Sequence, residues 1–297
     1  MPFPQTLDAR PKVIFFTDFD GTITQQDTND YITDNYGFGL ARRKEGMRLI
    51  LDGKDTFRAG FQKMIDSWSV SLAEMIEILE STITLDPYFK DFVIWAKSHH
   101  VPIVVLSGGM VPVITALLRK LLGEELMRDI EVIANDYHLV PPLNDMRKKG
   151  GWNITFHDDS GFGHDKSLTI RPYAQKIAEM PVSERPTLLY AGDGVSDLSA
   201  ARETDLLFAK EGHDLTIYCE REGIPFTTFR DWSSILSETR DIYQGKKDVK
   251  SVAQEGLRRH RTNSMSRPSQ PSGSYNRKMS FSQGGNSPER TRDTVVT

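Results

Sequence analysis

Five short apolar runs set the terms for this chain: VIFFT (13–17), VPIVVLS (101–107), IEVIAND (130–136), TLLYAGD (187–193) and LLFA (206–209). They are rich in β-branched and aromatic residues and are apolar without alternation, so each predicts a strand covered on both faces. PFTTF (225–229) adds a sixth. Amphipathic stretches separate them. In LDPYFKDFVIWAKSHH (85–100), Pro87 suits a first turn and Phe89, Phe92, Val93 and Ala96 repeat at helical spacing. VPVITALLRKLLG (111–123) predicts a helix that stops at a glycine. Buried strands alternating with helices imply an α/β fold with a doubly wound, Rossmann-like, mainly parallel sheet. Such folds carry their chemistry at the carboxyl ends of the strands.

One stretch breaks the rhythm. Residues 28–84 are too long for one crossover helix and read as four, near 26–36, 40–51, 55–67 and 71–83, a helical cap over the strand ends. The expected organisation is a catalytic core from 1–27 and 85–244, a cap over 28–84, and a basic Ser/Arg-rich tail over 245–297. Segments such as RPSQPSGSYNRK (267–278) hold too little apolar surface to offset ordering entropy, so disorder is expected from about 250. Charge divides at the same place. Residues 245–297 carry 11 Lys and Arg against 4 Asp and Glu, whereas the rest carries 26 against 37. An acidic body excludes nucleic acid as a partner, because phosphate backbones require a basic face. No apolar run approaches the ~18 residues of a membrane span, and MPFPQTLDARPK has no signal-peptide core. The single cysteine, Cys219, excludes a disulfide framework and cysteine-rich zinc modules. It favours a reducing, cytoplasmic compartment, with the nucleus also accessible.

Residues able to do chemistry gather where strands should end. Asp18 and Asp20, in DFDGTIT (18–24), are two apart in extended backbone and project to one side, with Phe19 turned to the core. Two close carboxylates resist ionising together, which suits a nucleophile beside a general acid and base; an acidic turn is the plain alternative. LSGGMVP (106–112) sets Ser107 and two glycines before a helix start, an anion cradle. Lys166 opens a helix, where a cation opposes the dipole and so suggests a task such as holding phosphate; a solvated lysine is the plain alternative. GDGVSD (192–197) offers Asp193 and Asp197, oxygen ligands that suit a hard cation such as Mg²⁺.

In this order, the four elements resemble the four motifs of the haloacid dehalogenase superfamily of aspartyl-phosphate phosphatases, with a helical cap between the first and second. The chain looks like the phosphoserine-phosphatase-like branch. TDFDGTIT (17–24), NYGFG (35–39), FGHDKS (162–167) and YAGDGVSDLSAARETDLLFAK (190–210) resemble small fungal polyol-phosphate phosphatases over about residues 12–241. The resemblance implies that Asp18 attacks phosphorus and that Asp20 protonates the leaving group and then activates water. It also implies Mg²⁺ held by Asp18, the Asp20 carbonyl and Asp193, supported by Gly194 and Asp197. Thr22, Ser107, Gly108 and Lys166 would meet the phosphoryl group.

The substrate end departs from phosphoserine phosphatases. Asp27 stands where they carry a glutamate for the amino group, and Met64 where they carry a carboxylate-binding arginine, with Arg58 and Lys63 expected to face elsewhere. A site without that arginine discriminates poorly for an amino acid. The expectation is therefore the phosphate of an uncharged polyol, such as sorbitol 6-phosphate or glycerol 3-phosphate, whose hydroxyl-rich leaving group Asp27, Asn29 and Asp30 would hold. Phosphoserine hydrolysis is one rival; a non-catalytic regulatory protein on the same fold is another. RRK (42–44) is expected to face solvent, and HDD (157–159) to be a solvated loop. RTNS (261–264) and RKMS (277–280) resemble basophilic kinase sites, making the tail a target for a kinase or regulatory protein unless it is inert.

Overall fold

The computed structural model describes residues 7, 9–213 and 215–265. β1 (Val13–Thr17) occupies the middle of a seven-stranded sheet. Next along the chain come α1 (Thr28–Tyr36), α2 (Leu40–Leu51), α3 (Phe57–Ser67), α4 (Leu72–Thr82), α5 (Phe89–Ser98), β2 (Ile103–Met110), α6 (Val111–Leu122), α7 (Glu124–Met127), β3 (Ile130–Leu139) and β4 (Trp152–Thr155). The second half runs α8 (Lys166–Glu179), β5 (Thr187–Gly192), α9 (Leu198–Ala201), β6 (Leu206–Lys210), α10 (Leu215–Glu222), β7 (Phe226–Phe229), α11 (Trp232–Tyr243) and α12 (Val249–Met265).

The strand order is β4-β3-β2-β1-β5-β6-β7, parallel except for the β3–β4 pair. The chain winds outward from β1 in one direction and then from β5 in the other. The two windings part between β1 and β5, which register as Phe15 against Leu189 and Thr17 against Ala191. That crevice is where ligands bind in sheets of this kind. Alternation along β1 builds both layers of the core. Val13 and Phe15 face one layer with Phe89, Phe92, Leu117 and Trp232, and Ile14 and Phe16 face the other with Ile170, Tyr173, Tyr190 and Leu215. Each such side chain, fully buried, stabilises the fold by about 2–3 kcal/mol relative to exposure.

The four helices α1–α4 leave and rejoin the core through adjacent strands of backbone. Thr24 bridges Leu85, and Gln25 N–H donates to the Thr84 carbonyl. Their starts follow from local capping chemistry. Asp27 accepts from Asp30 N–H, Thr56 accepts from Ala59 N–H, and Ser71 and Glu74 form a reciprocal capping box.

Three expectations need correction. β2 does not end at Ser107; it continues through an irregular stretch, with a register shift between Leu106 and Met110. The third strand does not stop at 136: β3 extends to Leu139 and the chain returns as β4, whose Trp152 and Ile154 are buried. Disorder from about 250 fails over Val249–Met265, which is helix α12 packed on β7. Val252 is fully buried, and Gly256 lies so near Thr227 that a Cβ there would come within 2.5 Å of its Cα. Ser/Arg-rich composition hid an apolar stripe that only a sheet edge could stabilise. RKMS lies outside the described residues. Among them, no helix is long and apolar enough to cross a membrane.

Candidate active site

A cavity of about 840 Å³ opens above the β1–β5 crevice, with its floor built from strand ends and its roof from α1–α3. Asp18, Asp20, Ser107, Gly108, Lys166, Asp193 and Gly194 line the floor; Asp27 and Met64 line the roof. Sequence motifs as much as 175 residues apart thus meet because parallel strands all end on one side.

At the centre lies a buried ion triad. Lys166 Nζ is 2.9 Å from Asp18 Oδ1 and 2.6 Å from Asp197 Oδ1, and its side chain is 2% exposed. Asp165 caps α8 by accepting from Ser167 N–H, which sets the first helical residue, Lys166, against the floor. Burial alone would lower the Lys166 ammonium, but the two carboxylates hold it above its ordinary value. Asp18 Oδ1 also accepts from Phe19 N–H at 2.7 Å. Burial, reinforced by Asp197, raises the Asp18 carboxyl well above the usual range in the metal-free protein, against the pull of Lys166.

Asp20 sits beside it, 8% exposed. Its Oδ1 accepts from Thr28 N–H at 2.8 Å and its Oδ2 from Asn29 Nδ2 at 3.3 Å. Burial raises this carboxyl to about 6, partly offset by the Thr28 hydrogen bonds. A carboxyl titrating there can both give and take a proton near neutral pH.

Asp197 does not face the cavity. Its oxygens accept from Lys166, from Tyr190 Oη at 2.6 Å, and from Asp193 and Gly194 N–H at 3.0 Å each. It braces the Asp193 loop and neutralises Lys166. Gly192 is required there, since a Cβ would come within 2.5 Å of the Asp197 carboxylate. Thr22, expected on phosphate, instead turns its hydroxyl to Asp193 Oδ1 at 3.3 Å. On the other side, Ser107 Oγ accepts from Gly109 N–H at 2.9 Å and is held at the floor.

His164, which flanks Lys166 in the sequence and is expected to orient that loop, does so from behind, and His213 joins the site with nothing local to mark it. His164 Nδ1 donates to the Ser107 carbonyl at 2.8 Å, Nε2 accepts from Thr169 Oγ1 at 3.3 Å, and burial lowers the imidazole to about 4, so it is a neutral brace. His213 Nδ1 lies 3.3 Å from Asp193 Oδ2. RRK does not simply face solvent: Arg43 turns inward to Asp30 and, at 2.7 Å, to Asp34. Lys63 lines the roof, with its ammonium on Asp55 at 2.6 Å. Arg58 faces away, as expected; its N–H donates to the Gly161 carbonyl, its guanidinium to the Asp158 carbonyl, and its neighbour Phe57 stacks on Phe162. HDD therefore belongs to the loop that docks α3 beside Lys166. Cys219 is buried, which pushes its thiol up to about 12 and leaves it inert.

The chain matches the family model of the haloacid dehalogenase-like hydrolases over residues 15–202. It is 49% identical over 236 residues to Pdp3-interacting factor 1 of Schizosaccharomyces pombe, covering 79% of this chain and 98% of that protein. It is 43% identical over 240 residues to the polyol phosphate phosphatase PYP1 of Saccharomyces cerevisiae, covering 80% of this chain and 97% of that one. Among solved structures, a phospho-aspartyl intermediate analogue of phosphoserine phosphatase superposes with a TM-score of 0.56 at 20% identity, covering 77% of this chain and 99% of that one, a likeness of fold.

Proposed function

The chain belongs to the haloacid dehalogenase-like hydrolases and is a phosphatase, and on that premise we propose that it hydrolyses a small polyol phosphate with Mg²⁺ through an aspartyl-phosphate on Asp18. The observation that carries the mechanism is the buried Asp18–Lys166–Asp197 triad at the cavity floor, with Asp20 beside it.

The donor set fits Mg²⁺. The nearest ligand atoms of Asp18, Asp193 and Asp197 lie within 4.8 Å of one another, all of them oxygens. Asp197 is already occupied by four donors, which leaves Asp18, Asp193 and the Asp20 carbonyl to hold the ion. Bound there, Mg²⁺ would offset the crowded carboxylates and the charge of the phosphoryl group.

The side chains divide the remaining work. Lys166 reduces the repulsion between Asp18 and the phosphate dianion it must approach, and the Ser107 hydroxyl and the Gly108 N–H meet the phosphoryl oxygens. An Asp18 oxygen bonds to phosphorus as the ester P–O bond breaks, and the departing alkoxide takes the proton from Asp20. Asp20, now a carboxylate, takes a proton from water as that water attacks phosphorus; phosphate leaves and Asp18 is restored.

The roof supports a polyol. Asp27 and Asn29 offer hydrogen bonds, Met64 supplies no charge, Arg43 and Lys63 are spent on carboxylates of the cap, and Arg42, which also lines the cavity, lies over the Phe38 ring. Burial, with Asp20 and Asp30 nearby, raises the Asp27 carboxyl well above the usual range, so it is suited to neutral hydroxyls. The test is initial rates on sorbitol 6-phosphate, glycerol 3-phosphate and phosphoserine, with Mg²⁺ and with chelator. The polyol phosphates should lead by about tenfold or more in kcat/KM, and chelator should stop turnover. A preference for phosphoserine overturns the substrate, and chelator-resistant turnover overturns the metal.

A further inference from the structure

The backbone carbonyls of residues 18–23 can be accounted for one by one. Asp18 O accepts from Thr17 Oγ1 at 2.7 Å. Phe19 O accepts from the N–H groups of Thr22, Ile23 and Thr24. Gly21 O accepts from Lys210 Nζ, Thr22 O from Trp232 Nε1 at 2.9 Å, and Ile23 O from Asp86 N–H at 2.8 Å. Asp20 O alone in this run has no donor among the described residues. Since the carbonyls of buried residues are seldom left unpaired, a free one on Asp20, which is 8% exposed and adjoins the Gly21 that abuts Asp193, points to a cation.

The donors that occupy its neighbours come from far along the chain. Lys210 ends β6, and Trp232 opens α11 just beyond β7. Trp232 is fully buried against Phe15, Phe89 and Phe92, and its own N–H is held by Asp86 Oδ1 at 3.1 Å. Lys210 is half-buried, and among the described residues it has no carboxylate within ion-pair distance. Surface pairing therefore does not explain it; its polar contact is one neutral carbonyl. Gly21 has φ +72, and a Cβ on it would fall 2.4 Å from Asp193 Oδ2, so the Asp20–Gly21 peptide lies against a carboxylate expected on the same ion.

We infer that Lys210 and Trp232 are positioning residues: they hold the Gly21 and Thr22 carbonyls to the core and leave the Asp20 carbonyl as the backbone ligand of the metal. The inference rests on the Mg²⁺ reading above. Groups that orient metal ligands from behind change affinity by about 10–100-fold when removed.

The test is Mn²⁺ binding to the full-length protein without substrate, followed by electron paramagnetic resonance, with melting temperatures recorded in chelator. K210M should bind Mn²⁺ about tenfold more weakly, K210R should recover most of the loss because a guanidinium can still donate to Gly21 O, and W232F should weaken binding in the same direction. Wild-type affinity in K210M overturns the inference. If K210M does not fold, W232F decides in its place, weaker binding supporting and unchanged binding overturning it. D193N separates the two readings. If it binds as tightly as wild type, or wild type binds no Mn²⁺, the metal site itself fails. If D193N loses binding while K210M and W232F do not, the positioning role alone fails.

Discussion

The floor and the roof of the cavity are built on opposite terms. In the floor and just behind it, Asp18, Asp20, Ser107, Lys166 and Asp197 are all buried and hydrogen-bonded, carried by the strands and helix starts of the sheet core. In the roof, α2 buries none of its residues and α3 only Ile65, while Leu40 and Met47 are exposed. Groups that make and break bonds need fixed geometry, and a packed sheet supplies it. Groups that choose among leaving alcohols can sit on helices with few buried contacts, where opening costs little.

Four experiments press on this contrast. The largest effect should come from Asp18→Asn, which keeps the shape and removes the proposed nucleophile. Turnover should fall on the order of 10⁴-fold, measured as phosphate release; appreciable residual activity would remove the covalent step from the floor.

Lys166→Met comes next. It leaves Asp18 and Asp197 buried without their counter-charge, which should destabilise the protein by about 3–5 kcal/mol, read from urea denaturation. A loss below about 1 kcal/mol would mean the floor is less enclosed than its burial indicates.

The third concerns pH in the metal-free protein. The Asp20 carboxyl is raised to about 6, above its ordinary value near 4. The folded state therefore holds this proton more tightly than the unfolded one. This contribution to stability is present at low pH and is lost as pH rises from about 4 through about 6, at a cost of roughly 2–3 kcal/mol by pH 7. Asp20→Asn should be the more stable protein at pH 7 in chelator and should gain nothing at pH 4. Equal stability at both pH values would mean that burial does not raise the Asp20 carboxyl.

The smallest effect belongs to the roof. Asp27→Asn should raise KM for a polyol phosphate by about tenfold, the worth of one ordinary hydrogen bond, with a burst of aspartyl-phosphate formation nearly unchanged at saturation. A collapse of the burst rate would move Asp27 from the roof's role to the floor's.

Much of this was legible in the chain. The β1, β2, β5 and β6 runs are apolar throughout, and a strand apolar on both faces has few alternatives. Asp18 and Asp20 flank a core phenylalanine, and period-two geometry turned that spacing into two carboxylates on one wall. The misses share a cause. Tyr190 on Asp197, His164 on the Ser107 carbonyl and Lys210 on the Gly21 carbonyl join residues that have no spacing relation, so no local pattern announces them. Thr22 was placed on phosphate because it sits in the motif, whereas Asp193 came close enough to take its hydroxyl. α12 was read as tail because its mean composition is polar; β7 supplied the surface that makes its few apolar residues and Gly256 count.

What the sequence alone determined was the list of candidate reacting groups and the runs of chain that form the strands carrying them, because both depend on local periodicity and residue chemistry. The tertiary structure decided which of those groups face the cavity and which stand behind it. Asp197 and Thr22 became braces while Asp18 and Asp193 stayed open, and that division comes from hydrogen-bond partners distant in the chain, which a buried polar atom must find once the sheet has closed around it.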